Sequence, residues 1–177
     1  MKKTILSALF CCCAFLLNSC GDKHNTRIGD IDCTISEITQ TRTLELPDCP
    51  FGRASYNADN GNILTIFQGE AKNMGNESAY FITPVFKSSN GNTYEQAAHV
   101  HFKSMDNDIL GTKLSPGETY KFIFFFNIPS SEISDGSLIF KKALISFSKD
   151  NTVLLPLSIS NIKSVEDKLI IPNVTNL

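Results

Sequence analysis

Residues 118–129 read ETYKFIFFFNIP, and this stretch decides the fold class of the chain. Aromatic and β-branched residues dominate it, which is typical of a β-strand. A two-residue period places the even-numbered residues from Tyr120 to Phe126 on one face, and Ile123 and Phe125 on the other. Either the strand is central and covered on both faces, or one face is exposed to a partner. We favour coverage of both faces, because long loops can cover a small sheet.

Turn-forming residues bound this strand and its neighbours. Ser115-Pro116-Gly117 comes directly before it, and Pro-Gly suits a type II turn. Asn90-Gly91 marks another turn, since both residues tolerate positive φ. Short β-rich segments separated by such turns predict an all-β protein, an antiparallel β-sandwich. We predict strands near residues 31–38, 62–72, 79–87, 93–102, 118–127, 138–148 and 152–160.

Two prolines and one change of alternation refine this prediction. Pro156 and Pro84 each fall inside a predicted strand, and proline cannot donate a ladder hydrogen bond. We therefore expect both strands at sheet edges, with a bulge as the alternative at Pro84. Between residues 138 and 148 the apolar positions change parity across Lys141-Lys142, which predicts a β-bulge there.

The order of these motifs resembles a known family. The strand end Glu70-Ala71-Lys72-Asn73, the turn at 88–94 and the turn at 114–118, followed by Ile128-Pro129, are similar to immunoglobulin-like domains of the immunoprotective extracellular protein family. The resemblance covers about residues 31–160 and implies an immunoglobulin-like β-sandwich of about seven strands. It implies no particular activity, because many bacterial lipoproteins of that family have no known function. Residues 39–61 form an extra loop on this interpretation.

The N-terminus has the three parts of an export signal. Lys2 and Lys3 precede the apolar run from Ile5 to Leu17, and a cysteine follows at position 20. Thirteen apolar residues are too few to cross a bilayer as a helix, which takes about 20. Leu17-Asn18-Ser19-Cys20 resembles the lipobox of bacterial lipoproteins, in which the cysteine receives diacylglycerol and fatty acids such as palmitate.

This resemblance divides the chain into three parts. Residues 1–19 are the signal peptide, residues 20–30 a lipidated polar tether, and residues 31–177 the β-sandwich domain. Lipid on Cys20 would attach the protein to a membrane of the cell envelope, and we favour the outer over the inner membrane. Removal of the signal takes two lysines and no acidic residue, so the formal net charge falls from −2 to −4. A mildly acidic chain without a basic run excludes an electrostatic footprint for nucleic acid.

Six cysteines are present, of which three lie in the signal and Cys20 carries lipid. The remaining Cys33 and Cys49 would share an oxidising compartment, so we predict a disulfide between them. A reactive thiol is the alternative. Neither cysteine has a histidine near it in sequence to lower its pKa, which favours the disulfide.

His99 and His101 are the candidate metal ligands, because residues two apart on a strand share a face. Glu95, Asp106 or Asp108 could complete a site, but no spacing motif requires one. We favour a solvated histidine pair, with no bound metal and no cofactor.

No local motif for nucleophilic, phosphate or zinc chemistry is present in the sequence. We therefore expect a non-catalytic binding or accessory module, with an envelope protein as a possible partner. A structural or assembly subunit docking through edge strands is the second hypothesis. A hydrolase or metal-binding protein that uses His99 and His101 is the third.

Overall fold

A computed structural model describes residues 24–47, 53–96, 112–132, 135–142, 151–158, 163–164 and 167–172. These residues form strands joined by turns, together with one short 3-10 turn at Ser130–Glu132. Within these ranges no helix is both long enough and apolar enough to span a membrane.

Fourteen strands are present in the described ranges. They are β1 (His24–Ile28), β2 (Ile31–Thr41), β3 (Thr43–Leu46), β4 (Ala54–Asn57), β5 (Asn62–Asn73), β6 (Ala79–Phe81), β7 (Val85–Ser88), β8 (Thr93–Tyr94), β9 (Thr112–Leu114), β10 (Thr119–Pro129), β11 (Asp135–Lys141), β12 (Thr152–Ser158), β13 (Lys163–Ser164) and β14 (Lys168–Ile170).

The central sheet has the order β1-β2-β5-β10, with antiparallel neighbours throughout. β10 pairs with β5 over its whole length, from Thr119 opposite Lys72 to Pro129 opposite Asn62. β13 adds a short parallel pair to β2 beyond the end of β1. Long central strands held in one register fix which side chains face each side of this sheet.

The first face of the central sheet packs on a second sheet of order β12-β11-β7-β8 and on the β6-β9 pair. Their shared core is strongly aromatic. The ring of Phe81 lies near the rings of four core residues: Tyr120, Phe122, Phe124 and Phe140. Rings at these separations contribute packing energy beyond the area they bury.

The second face of the central sheet is covered over one half by a small sheet of order β14-β3-β4. Leu44 and Leu46 from this sheet join Ile123 and Phe125 of β10 in a second buried cluster. Both faces of the apolar run of β10 are therefore covered, as we predicted, whereas Thr119 and Lys121 at its start are exposed. The five-residue apolar run from Phe122 to Phe126 is buried throughout.

The predicted all-β sandwich is confirmed, and each of the seven predicted strands has a counterpart. The segment 79–87 differs most, because it is not one strand at an edge. The chain leaves β6 and enters β7 in another sheet, and Pro84 lies in the connection. A residue without an N–H fits this crossing between sheets. Pro156 lies on β12, an edge strand of its sheet among the described residues, as predicted.

Two segments predicted to be irregular are ordered into strands. The tether predicted at 20–30 is wrong for its second half, since β1 pairs with β2 from His24 to Ile28. Buried Ile28 supplies the apolar contact for this strand. The extra loop predicted at 39–61 contains β3 and β4, whose leucines cover the second face.

A β-bulge lies in β2, where the pairing with β5 shifts between Ile35 and Glu37. Ser36 is the additional residue, which explains why apolar positions change from Ile35 to Ile38. The bulge predicted at Lys141-Lys142 is not tested, because β11 ends at Lys141 and residues 143–150 lie outside the described ranges. The predicted turns are present, with φ of 91° at Gly91 and 76° at Gly117.

Asn73, at the end of β5, joins two connections at one end of the sandwich, the β5-β6 loop and the β9-β10 turn. Its side-chain amide donates to the carbonyl groups of Glu77 (2.8 Å) and Leu114 (2.9 Å), and its Oδ1 accepts from the Gly75 N–H (2.9 Å). The residue is fully buried. A buried amide satisfied in this way holds the loops in a fixed arrangement.

Candidate binding face

The second face of the central sheet is open where the β14-β3-β4 sheet ends. Ladder pairing places two rows of side chains across this open face. One row is Arg27, Asp32, Lys72 and Thr119, and the other is Asn25, Thr34, Glu70 and Lys121. Asp32 and Thr34 are half-buried and the other six residues are exposed. We call these eight residues the open face.

The charges of the open face alternate between neighbouring strands. Arg27 lies 3.5 Å from Asp32 across the β1-β2 pair, and Asp32 is opposite Lys72 on β5. In the second row Glu70 is opposite Lys121. Because opposite charges are paired across neighbouring strands, the open face has no large patch of positive or negative charge. Such a surface favours a polar partner that carries both charges.

A cleft of about 290 Å³ lies beside the β2 bulge on this face. Its lining consists of Thr34, Ser36, Gln68, Gly69, Glu70, Lys121 and Phe122. Bulges often re-aim side chains next to functional sites. Here the Ser36 hydroxyl donates to the Gln68 carbonyl at 3.1 Å, so the bulged residue is tied to β5.

The cleft presents an ammonium group, a carboxylate, hydroxyls and an amide, which together can bind polar ligands by hydrogen bonds and charge. Ser36 is its candidate nucleophile by residue type. His24 is opposite Ile35 and shares the alternation of buried Ile28, so it lies on the first face, away from the cleft. The arrangement therefore brings no imidazole to Ser36 among the described residues, and it suits binding more than nucleophilic catalysis.

Cys33 is a free thiol in the described structure, contrary to the disulfide predicted with Cys49. Its side chain points into the first core, where burial raises its pKa to about 12. Cys49 lies outside the described residues. The two-residue period of β2 places Cys33 between the buried residues Ile31 and Ile35.

The other predicted site residues are not brought together by the described structure. Cys20, His99, His101, Asp106 and Asp108 all lie outside it, and Glu95 is an exposed residue after β8. No group of three or more possible metal ligands occurs in the ranges that the structure describes. Lipidation at Cys20 and the histidine pair stay predictions.

Glu132 lies at the centre of a group of polar side chains from the β7-β8 hairpin. Its carboxylate accepts hydrogen bonds from Tyr94 (2.7 Å), Ser88 (2.8 Å) and Asn92 (2.7 Å). The hydrogen bond from Tyr94, then those from Ser88 and Asn92, hold the pKa of Glu132 below its usual value. Because three donors already occupy this carboxylate, it joins β10 to the β7-β8 hairpin as a structural group.

Glu45 has the corresponding role in the small sheet. Lys168 of β14 lies 2.6 Å from its carboxylate and Arg53 lies 2.8 Å away. These hydrogen bonds, that of Lys168 first, lower the pKa of Glu45. The C-terminal strand is thereby tied to β3 by charge as well as by its ladder.

Several solved structures are similar to this chain in fold, at low sequence identity. The yjhA protein of Bacillus subtilis matches with 14% identity and a TM-score of 0.48, covering 80% of this chain and 96% of that one. An uncharacterized β-sandwich protein of Clostridium difficile matches with 15% identity and a TM-score of 0.47, covering 76% and 89%. A candidate lipoprotein of Bacillus subtilis, ycdA, has 8% identity and a TM-score of 0.47, covering 77% and 39%.

No protein-family model matches the chain, and no curated protein matches it significantly. Membership of the immunoprotective extracellular protein family is therefore not established.

The open face and its cleft were missed at the sequence level. The signal that could have found them is the change of alternation between Ile35 and Ile38, which indicates a bulge at Ser36 or Glu37. Nothing local in the sequence indicates that β3, β4 and β14 cover only half of the face, because that depends on the pairing of distant strands.

Proposed function

We propose that the mature chain is a lipid-anchored protein of the bacterial cell envelope whose β-sandwich binds a polar partner through its open face, without catalysis. The observation that carries this proposal is the cleft beside the Ser36 bulge, on the uncovered half of an otherwise covered sheet face. A rigid central sheet holds the cleft residues in fixed positions, which lowers the entropic cost of binding.

The chemistry of the cleft suggests the class of partner. Lys121 and Glu70 present opposite charges at one ladder position, and Gln68 and Thr34 add uncharged hydrogen-bonding groups. Such a set complements a polypeptide segment that carries both charges. A small polar contact area of this kind is typical of weak or transient association.

Anchoring at Cys20 rests on the export signal and on the lipobox-like residues before it. We also propose that the domain is related to the immunoglobulin-like domains of the immunoprotective extracellular protein family. The order of turns and strands supports this relationship.

Site-specific photo-crosslinking in intact cells tests the binding proposal. A crosslinking amino acid replaces Gln68 in the cleft, and a control carries it at Lys141, an exposed residue of the opposite sheet. We expect a discrete adduct from position 68 that is absent from position 141. Adding Glu70→Lys and Lys121→Glu, which preserve net charge, should abolish it. Equal crosslinking from both positions would refute the open face as the binding surface.

The hydrolase or metal hypothesis requires its own experiment, because His99 and His101 lie outside the described structure. Changing both to Ala removes the two imidazoles at once. On our proposal the double variant keeps its partner and the same metal content as the parent. Loss of a stoichiometric metal ion, or of a hydrolytic activity of the parent, would make the histidine pair the site.

An assembly role remains the second candidate, and one observation favours it. Leu154 on the edge strand β12 is 59% exposed, although it is a large apolar residue. An edge strand that carries such a residue is a docking surface for another strand. Leu154→Lys should then reduce assembly size in native gels, whereas crosslinking from position 68 should be unchanged.

A further inference from the structure

The start of β1 limits how far the domain can stand from the membrane. His24 is already paired in the central sheet, opposite Ile35. Only Gly21, Asp22 and Lys23 separate it from Cys20. Four Cα steps of a fully extended chain span at most about 14 Å. If Cys20 carries the lipid, as proposed above, the His24 end of β1 lies within that distance of the bilayer surface.

The central sheet extends beyond His24. β1 and β2 are antiparallel, so β2 continues from Ile35 to Thr41 beyond the His24 end of β1. Because Ser36 is bulged, the six residues after Ile35 advance β2 by five ladder steps, about 17 Å, and β5 continues to Asn62, about 23 Å from the level of Ile35. Their neighbours on β5 and β10 reach at least as far, since Thr41 is opposite Leu64 and Pro129 is opposite Asn62.

These two lengths exclude an upright domain. With strands perpendicular to the membrane, about 17–23 Å of sheet would have to fit beneath an attachment point held by a tether of at most about 14 Å. The polar end of the sheet would then enter the bilayer, where its backbone groups would lack partners.

We infer that the domain lies on its side, with the β1 edge of the central sheet against the lipid headgroups and β10 at the far edge. The partner of the β1 edge is the headgroup surface itself. The open face then runs from a membrane-proximal side at Asn25 to a distal side at Lys121, which are members of one ladder row. The cleft beside Ser36 lies between them, so its partner would approach from the side, along the membrane.

Single-cysteine labels on lipidated protein test this orientation. Four variants carry a fluorophore, in a Cys49→Ser background: Asn25→Cys at the proximal edge, Lys121→Cys at the distal edge, Asn60→Cys at one end of the strands and Met74→Cys at the other. All four native residues are exposed, and Cys33 is retained because it is buried. The probe is a vesicle of phosphatidylethanolamine and phosphatidylglycerol that carries a headgroup-linked nitroxide quencher.

We expect position 25 to be quenched at least about twofold more than position 121, because three strand spacings, about 14 Å, separate the two edges. Positions 60 and 74 should be quenched to a similar extent. Insertion of a 20-residue Gly-Ser linker after Asp22 should remove the difference between 25 and 121.

Three results would overturn the inference. Equal quenching at 25 and 121 on vesicle-bound protein excludes side-on contact. Quenching at 60 that exceeds all other positions shows an upright domain. If the protein does not sediment with vesicles and carries no acyl chain by mass spectrometry, anchoring at Cys20 itself fails, which is distinct from a wrong orientation of bound protein.

Discussion

The Tyr94 hydroxyl donates a 2.7 Å hydrogen bond to the carboxylate of Glu132, and this contact joins the segment after β10 to the β7-β8 hairpin. Ser88 and Asn92 donate to the same carboxylate. Because β7 is already paired with β11, the hydrogen bonds of Glu132 act mainly on β8, the edge strand of this hairpin, and on the turn that contains Asn92.

We predict that Glu132→Gln lowers stability at neutral pH and that the loss shrinks in acid. The pKa of Glu132 lies below its ordinary value of 4.5, so its stabilising effect is present above that value. It is lost as the pH falls through the lower, folded-state pKa. Urea unfolding of parent and variant at pH 7 and pH 3 measures the change.

The control for this experiment is Glu77→Gln, which changes an exposed glutamate side chain. We expect it to leave the unfolding midpoint unchanged at pH 7. If Glu132→Gln lowers the free energy of unfolding by the same amount at both pH values, the charge of the Glu132 carboxylate is not what holds the hairpin.

Asn73→Ala should destabilise the domain by about 2–4 kcal/mol, because it leaves three buried or part-buried backbone groups of two connections without partners. Its side chain makes three hydrogen bonds at 2.8–2.9 Å, to Glu77, Leu114 and Gly75. Asn76→Ala, at an exposed position in the same loop, is the matched control. Equal midpoints for the two variants in urea would refute the role of Asn73.

Gly69→Ala should cost about 3 kcal/mol by steric overlap. A Cβ at this position would lie 2.1 Å from the Thr34 carbonyl oxygen and 2.7 Å from the Phe122 ring. Gly61→Ala provides the comparison, since Gly61 has a φ of 81° and no heavy atom within 4 Å of an added Cβ. That variant should cost only about 1 kcal/mol, from backbone strain alone. Thermal unfolding of both variants distinguishes the cost of steric overlap from the cost of backbone strain.

The Cys33 thiol should react slowly in the folded protein and rapidly after unfolding. Burial raises its pKa to about 12, so almost none of it is thiolate at neutral pH. Alkylation followed by peptide mapping measures the rate with and without denaturant, in the absence of reductant. A Cys33–Cys49 disulfide-linked peptide, or rapid native alkylation, would contradict the buried free thiol.

The sequence predicted those parts of the fold that depend on local alternation and turn chemistry. The run from Phe122 to Phe126 identified a strand covered on both faces, and the Asn90-Gly91 and Pro116-Gly117 turns separate strands as expected. Such features depend on residues that are close in sequence, so a single amino-acid sequence is enough to predict them.

Features made by distant pairing were not predictable in the same way. β14 pairs in parallel with β3 more than 100 residues earlier, and this pairing decides which half of the second face is covered. The pairing of Cys33 with Cys49 rested on compartment and cysteine number alone, because the sequence does not give the distance between the two side chains. The polar segment from His24 to Arg27 forms a strand because its backbone pairs with β2. The composition of this segment gave little indication of a strand.

If the chain is exported, as proposed above, the parallel pairing of β14 with β3 also orders events during export. A chain that crosses a membrane from its N-terminus delivers β3, β4 and β5 well before β14. Until Lys168 forms its ion pair with Glu45 and Ile171 joins the buried cluster that contains Leu64, the apolar half of the second face lacks its last covering strand. β14 and Ile171 therefore complete the cover of the second face, and a chain truncated before β14 would expose an apolar, protease-sensitive surface.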